Sequence, residues 1–142
     1  MYKHVLVAID LDGESGWRQP LVAGAEHARK FGADLTVMTV VREIEALVRA
    51  QVAPLGYRLF AAELENQLAA RVREANAHDL HPKLIVTHSG SIYDEILVHA
   101  KEIEVDLIVV GSHRPAMKDY LLGTNAGRVM RHATCSVLVA RD

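Results

Sequence analysis

Only one cysteine, Cys135, is present, so no disulfide can form within the chain, which points to a reducing compartment. Positive charge is not in excess either. Sixteen Lys and Arg stand against 18 Asp and Glu, for a net charge of −2. Nothing is left over to neutralise a phosphate backbone, which argues against a dedicated nucleic-acid binder. No apolar run approaches the ~18–20 residues that a membrane span needs. Val5–Ile9 is followed at once by Asp10, and no small-residue cleavage site comes after it, so a secretory leader is not expected. Low-complexity segments and linkers are missing as well. Together these absences leave a cytoplasmic protein as the expectation. With 142 residues, half hydrophobic and 24% charged, there is room for one packed domain and hardly two.

What is present is alternation. Val5–Ile9, Leu35–Val41, Leu84–Thr87, Leu107–Val110 and Ser136–Ala140 are short apolar runs rich in β-branched residues, as strands buried on both faces are. Between them lie helical patterns. One runs from Pro20 to about Phe31, with Leu21, Ala25 and Ala28 in phase, and Gly32 stops it. A second starts near Tyr57, places Phe60, Leu64, Leu68, Val72 and Ala75 on one stripe, and ends near His78. A third begins at Ser91, three residues before Asp94 in a capping-box-like start where Ser91 can satisfy an orphan N–H. It carries Ile92, Ile96, Ala100 and Ile103. A fourth runs from about Thr124 to His132. Residues 42–56 are ambiguous and are read as an irregular or partly helical excursion. His27-Ala28-Arg29 … Ala33-Asp34-Leu35 is echoed by His99-Ala100-Lys101 … Val105-Asp106-Leu107 at an offset of 72, the recurrent grammar of a βα unit. Strand and helix alternating in this way predict an α/β fold with a parallel sheet covered on both faces. In such folds ligands bind beyond the carboxyl ends of the strands, where strand order reverses.

The loop after the fourth strand, Gly111–Gly127, is the most informative stretch. Gly111 closes the strand, and Gly123 followed by Thr124 and Asn125 opens a helix. Bare backbone at Gly111 and Gly123 permits close approach by a ligand. The N–H groups of Gly123, Thr124, Asn125 and Ala126 would point outward from a partly positive helix start, and Arg114 and Lys118 could add charge. A plain helix cap with no ligand explains the same residues equally well. Neither phosphate-loop fingerprint, G-x-x-x-x-G-K-[ST] or G-x-G-x-x-G, occurs at the expected place.

The phrase Ser112-His113-Arg114-Pro115 … Tyr120-Leu121-Leu122-Gly123-Thr124-Asn125-Ala126 … Val129-Met130-Arg131-His132-Ala133-Thr134-Cys135-Ser136-Val137-Leu138-Val139 closely resembles the universal stress proteins, in particular their bacterial F/G-type subgroup. Val5–Asp10, Leu35–Val40 and Ala100–Gly111 extend the resemblance over most of the chain, with 41–57 poorly covered. The resemblance implies a single-domain three-layer sandwich with five parallel strands in the order 3-2-1-4-5. It implies adenine nucleotide as ligand, ATP first, with Mg²⁺ accompanying its phosphates. Many members bind ATP through Gly-x2-Gly-x9-Gly-Ser/Thr. Here Gly111 and Gly123-Thr124 match the ends of that motif, while Arg114 holds the place of its second glycine and the spacing is one residue short. An arginine there could close over phosphate or block the pocket. By the same resemblance Asp10 reaches ribose or adenine, and the backbone of Val40 meets the adenine edge. Gly111 and His113 sit against ribose and phosphates, and Gly123, Thr124, Asn125 and Ala126 cradle the phosphates. In the 3-2-1-4-5 order Asp10 and Gly111 end the strands that flank the switch point.

Other residues carry less. Eight histidines invite a metal, yet no cysteine or carboxylate cluster accompanies His78, His81 and His88 at structural-zinc spacing. Cys135 reads as a small buried or half-buried hydrophobe. Trp17 and Tyr57 read as packing or surface residues. No catalytic constellation is legible. The last strand, Ser136–Ala140, should be a sheet edge, and edges need cover. Pairing it across a two-fold axis, as the family often does, predicts a homodimer through Ser136, Val137, Leu138, Val139 and Ala140. The functional expectation is an ATP-binding regulatory protein of the stress response with an unidentified protein partner. A nucleotide-free dimeric adaptor with Arg114 in the pocket, and a slow ATPase or self-phosphorylating protein, are the alternatives.

Overall fold

A computed structural model describes residues 1–11, 16–52, 56–112 and 124–141, with the backbone alone at 52 and 124. The elements run β1 (His4–Ala8), α1 (Arg18–Phe31), β2 (Asp34–Arg42), α2 (Glu43–Val52), α3 (Gly56–Glu74), a 3-10 turn (His78–Leu80), β3 (Lys83–Ser89), α4 (Ile92–Glu102), β4 (Leu107–Gly111), α5 (Thr124–His132) and β5 (Ser136–Ala140). The strands form one sheet in the order β3-β2-β1-β4-β5, and every pairing is parallel.

Period-two alternation sorts the strand residues onto two faces. Val5 and Val7 of β1, and Ile9 just after it, meet Leu21, Ala25 and Ala28 of α1 and Leu68 and Val72 of α3. Leu6 of β1, with Met38, Ile108 and Val110, meets Ile96 and Ala100 of α4 and Ala126 and Val129 of α5. Cys135 is half-buried against this second core, and burial pushes its thiol above the ordinary value.

Gly32 ends α1 in the left-handed region at φ 63°, its N–H donating to the Ala28 carbonyl as expected of a helix stop. Gly24 has a different role. Its missing side chain lets α1 settle directly on Val7 of β1.

Three features differ from the sequence reading. Residues 43–52, read as an irregular or partly helical excursion, form one regular helix. Acidic Glu43 and Glu45 occupy its first turn and Arg49 its last, the arrangement the helix dipole favours. Helix α3 ends at Glu74, short of His78. Ser91 stands at the start of α4, but its side chain makes no capping hydrogen bond. Instead Ser89 Oγ accepts from the Ser91 N–H at 3.1 Å and donates to the Ser91 carbonyl at 3.0 Å. Ser89, at the end of β3, thus fixes the backbone of the residue that precedes α4.

The amino end of the sheet is pinned by side chains. Asp106 accepts from the N–H groups of Lys3 (2.9 Å) and His4 (3.0 Å). His4 Nδ1 donates to the Ile103 carbonyl at 3.0 Å, and its Nε2 lies 2.8 Å from Thr36 Oγ1. Burial pulls the Asp106 carboxyl upward, but the His4 and Lys3 N–H groups outweigh it and hold it below the ordinary value. A carboxyl lowered in the folded state stabilises the fold above its unfolded value of ~3.9. That contribution is lost as pH falls through the folded value. Asp106→Asn should therefore cost about 1 kcal/mol near neutrality, a figure discounted for solvent screening. It should also flatten the loss of stability below about pH 4. Urea unfolding of both proteins at a series of pH values checks this, and parallel pH curves would refute it.

Candidate functional site

Strand β1 stops pairing with β2 at Ala8–Met38 and with β4 at Ala8–Val110. Its neighbours run on, β2 to Arg42 and β4 to Gly111. A notch is left at the carboxyl edge of the sheet, between β2 and β4. This is where strand order reverses, the position at which open α/β sheets hold ligands. A cleft of about 640 Å³ occupies it, within the range of small-molecule sites.

The backbone phase fixes what the notch offers. The Ile9 N–H donates to the Met38 carbonyl at 2.9 Å, so Met38 directs its polar groups toward β1. Val40, two residues on, has the same phase. Its N–H and C=O face the side where β1 has ended, and they border the cleft. A strand edge of this kind presents a donor and an acceptor side by side, the pattern that reads the edge of a planar base.

Asp10 follows β1 at the cleft. Its N–H donates to the Gly16 carbonyl at 3.0 Å, and a Cβ at Gly16 would stand 2.7 Å from the Asp10 Cβ. Opposite, Gly111 closes β4, and the Ser112 N–H donates to the Ala140 carbonyl at 3.0 Å. Asn125 and Ala126 bring the first turn of α5 to the same cleft. That turn carries no acidic residue, and Arg131 and His132 lie in the last turn. The positive end of the helix is therefore left available to an anion.

Of the residues singled out in the sequence, Asp10, Val40, Gly111, Asn125 and Ala126 line this one cleft. Thr124 begins α5 beside them. His113, Arg114, Lys118 and Gly123 lie outside the described residues.

The cleft also has a wall that sequence reasoning missed. Glu45 and Arg49 of α2 and Phe60, Leu64 and Gln67 of α3 line it, with Ile92 and Ile96 of α4. The Arg49 guanidinium lies 4.3 Å from the Phe60 ring centroid and 3.9 Å from Glu45. Phe60 and Leu64 share the apolar stripe of Leu68 and Val72. Only the latter two reach the core, because the first turns of α3 pass beyond the end of the sheet. Trp17 is packed, 1% exposed, with the Arg18 and Arg71 guanidiniums 4.6 and 5.2 Å from its ring. Tyr57 stands edge-on to His88, centroids 5.0 Å apart. Burial and, after it, the charge of Glu43 push its hydroxyl above the ordinary value. Neither aromatic lines the cleft among the described residues.

Among the described residues no group of three or more His, Cys, Asp or Glu is placed to hold a metal. No helix there is long and apolar enough to cross a membrane.

An open parallel sheet with a cleft at its switch point, edged by a free strand segment and a helix start, defines a doubly wound α/β domain. The sequence profile of the Universal stress protein family matches residues 1–141, and the chain belongs to that family. Universal stress protein G of Salmonella typhimurium is 37% identical over 87 residues, covering 59% of this chain and 61% of that protein. Universal stress protein A homolog 1 of Coxiella burnetii is 30% identical over 143 residues, covering 96% and 94%. Among solved structures, universal stress protein UspA from Lactobacillus plantarum superposes with a TM-score of 0.77 at 22% identity, covering 99% of this chain and 98% of that one. A universal stress protein in complex with cAMP gives 0.65 at 22% identity, covering 99% and 97%. One from Archaeoglobus fulgidus in complex with dAMP gives 0.64 at 21%, covering 98% of each.

Proposed function

We propose that the cleft binds an adenine nucleotide, ATP with Mg²⁺ on its phosphates, and that the protein acts as a nucleotide-dependent regulator in the stress response. The observation that carries this reading is the meeting of Val40 backbone, Asp10, Gly111 and the first turn of α5 around one space. Base edge, ribose and phosphate each find the partner their chemistry needs. The base lies against the N–H and C=O of Val40, with Phe60 and Leu64 closing its apolar side. Asp10 accepts from a ribose hydroxyl. Gly111 leaves room for the sugar–phosphate chain, and the N–H groups of Gly123, Thr124, Asn125 and Ala126 receive the phosphates. His113 positions a phosphate, and Arg114 closes over the phosphates as a charge-assisted donor. The cAMP and dAMP complexes of the two structural relatives support the choice of an adenine ligand. No residue at the cleft is assigned to chemistry, so binding rather than turnover is the function proposed.

Two further parts belong to this reading. The protein is a cytoplasmic homodimer, with the outer edge of β5 (Ser136, Val137, Leu138, Val139, Ala140) paired to its copy about a two-fold axis, which covers the exposed sheet edge. A protein partner reads the nucleotide state.

A thermal-unfolding titration with Mg-ATP, against GTP, tests the site. Ligand at ~100 times Kd adds ~2.7 kcal/mol to stability, which for a chain of this size raises the midpoint by roughly 5–10 °C. GTP, whose base presents a different edge to Val40, should raise it far less. Equal shifts with both nucleotides would overturn the adenine assignment, and no shift in nucleotide-free protein would overturn the site.

A further inference from the structure

A second groove, of about 580 Å³, adjoins the cleft and shares Arg42, Ile92 and Asn125 with it. It runs between the start of α2, the β3–α4 loop and α5. Its surface has two characters. Ile44, 70% exposed, Ile92 and Tyr93 make an apolar platform, and Arg42 and Arg128 supply positive charge. The Arg128 guanidinium lies 5.2 Å from the Tyr93 ring centroid. Tyr93 is in turn stacked on His132, with centroids 5.9 Å apart, so platform and cation are held together. Glu43, the carboxylate on the groove among the described residues, is engaged by His88 Nδ1 at 2.6 Å, while the Arg42 side chain has no polar partner there. Ser91 also lines the groove.

A bare phosphate would need the arginines and not the apolar platform. An apolar metabolite would need the platform and not the arginines. A nucleoside attached through phosphates uses both, because a planar base covers exposed apolar surface and stacks beside a guanidinium. The shared residues are the polar ones where a phosphate chain would cross, Arg42 and Asn125, with Ile92 beneath.

We propose that the ligand of this protein is bipartite, a dinucleoside polyphosphate: one nucleoside in the cleft, the phosphate chain over Asn125 and Arg42, and the second nucleoside in the groove at Tyr93 and Arg128. This rests on the nucleotide reading of the cleft and extends it to the class of nucleotide.

Calorimetric titration of the full chain with AMP, ATP and diadenosine tetraphosphate tests it. The dinucleotide should bind at least tenfold more tightly than ATP, with one ligand per chain. Arg128→Glu should remove that advantage and leave AMP affinity within about twofold, since Arg128 lines the groove and not the cleft. Arg128→Lys, which keeps the charge but not the planar fork, should retain part of it. Dinucleotide binding no tighter than ATP, or one dinucleotide shared by two chains, would overturn the inference. So would an Arg128→Glu variant that weakens AMP and the dinucleotide equally. Failure of AMP itself to bind would instead overturn the reading of the cleft.

Discussion

Gly24→Val is expected to cost about 3 kcal/mol or more, the upper range for overpacking a filled interior, and to lower the unfolding midpoint by roughly 10 °C. Helix α1 lies against β1 at this point, and a Cβ on residue 24 would run into the Val7 Cγ2 methyl, with Val109 Cγ2 3.7 Å away. Val7 and Val109 are fully buried, so neither can swing aside into solvent. The first consequence is a shift of α1 off the sheet. Leu21, Ala25 and Ala28 are on the same face of that helix and share the core with Val7, so the loss spreads beyond the mutated residue. Intrinsic helix propensity acts in the opposite sense, since glycine in a helix interior is worse than most residues by up to ~1 kcal/mol, but the steric term is larger. Val7→Ala on the Gly24→Val background should recover part of the stability by removing the methyl that is struck. Circular dichroism melts of the two single variants and the double variant give the coupling directly. An unchanged midpoint in Gly24→Val, or strict additivity in the double variant, would show that the close approach is not what holds α1 in place.

The parts of this fold that the sequence announces are those where one residue type answers one local demand. The runs Val5–Ile9 and Leu107–Val110 read as strands, and the strands His4–Ala8 and Leu107–Gly111 form there with Val5, Leu6 and Val7 and Leu107–Val110 buried. Gly32 reads as a helix stop because its φ of 63° is a local property. Residues whose meaning depends on how far an element extends past its neighbours are harder. Phe60 and Leu64 have the same spacing as Leu68 and Val72, so the stripe alone cannot tell wall from core. What separates them is the length of β1, which ends at Ala8, so that Phe60 and Leu64 line the cleft while Leu68 and Val72 join the core. The same holds for 43–52. Pro54 and Gly56 beyond it suggest irregularity, while Glu43, Glu45 and Arg49 inside it satisfy a helix dipole, and the helix prevails. Ser91 shows a third kind of failure. Its spacing to Asp94 fits a capping box, but Ser89 sits two residues earlier with its hydroxyl already on the Ser91 backbone. At the cleft, Asp10, Val40, Gly111, Asn125 and Ala126, which line it, are singled out by a resemblance covering strand ends and the α5 start. Glu45, Arg49 and Gln67 come from the segment that the resemblance covers poorly or from positions on α3 with no motif around them.

Gly111→Val separates site from scaffold in the opposite way to Gly24→Val. Among the described residues, a Cβ at residue 111 would meet the Pro20 ring, at 3.5 and 3.7 Å, which is ordinary contact. Its φ lies outside the left-handed region that favours glycine, and a β-branched residue suits the end of a strand. Packing and backbone therefore do not demand a glycine here, and the fold should tolerate valine within about 1 kcal/mol. The demand comes from the cleft. Gly111 borders it across from Asp10, and the proposed ligand lays its sugar–phosphate chain against this backbone, where valine's added methyls are expected to intrude. Affinity for Mg-ATP should fall at least 100-fold, which removes ~2.7 kcal/mol of binding energy. The ligand-induced rise in melting temperature should then vanish at concentrations that saturate the parent protein. Gly111→Ala should fall between the two. The measurement is a pair of melts for each variant, with and without nucleotide. A variant that melts like the parent alone yet no longer responds to ATP locates the ligand at β4. One that still responds fully would move the ligand away from Gly111, and with it the assignment of Asn125 and Ala126 to the phosphates.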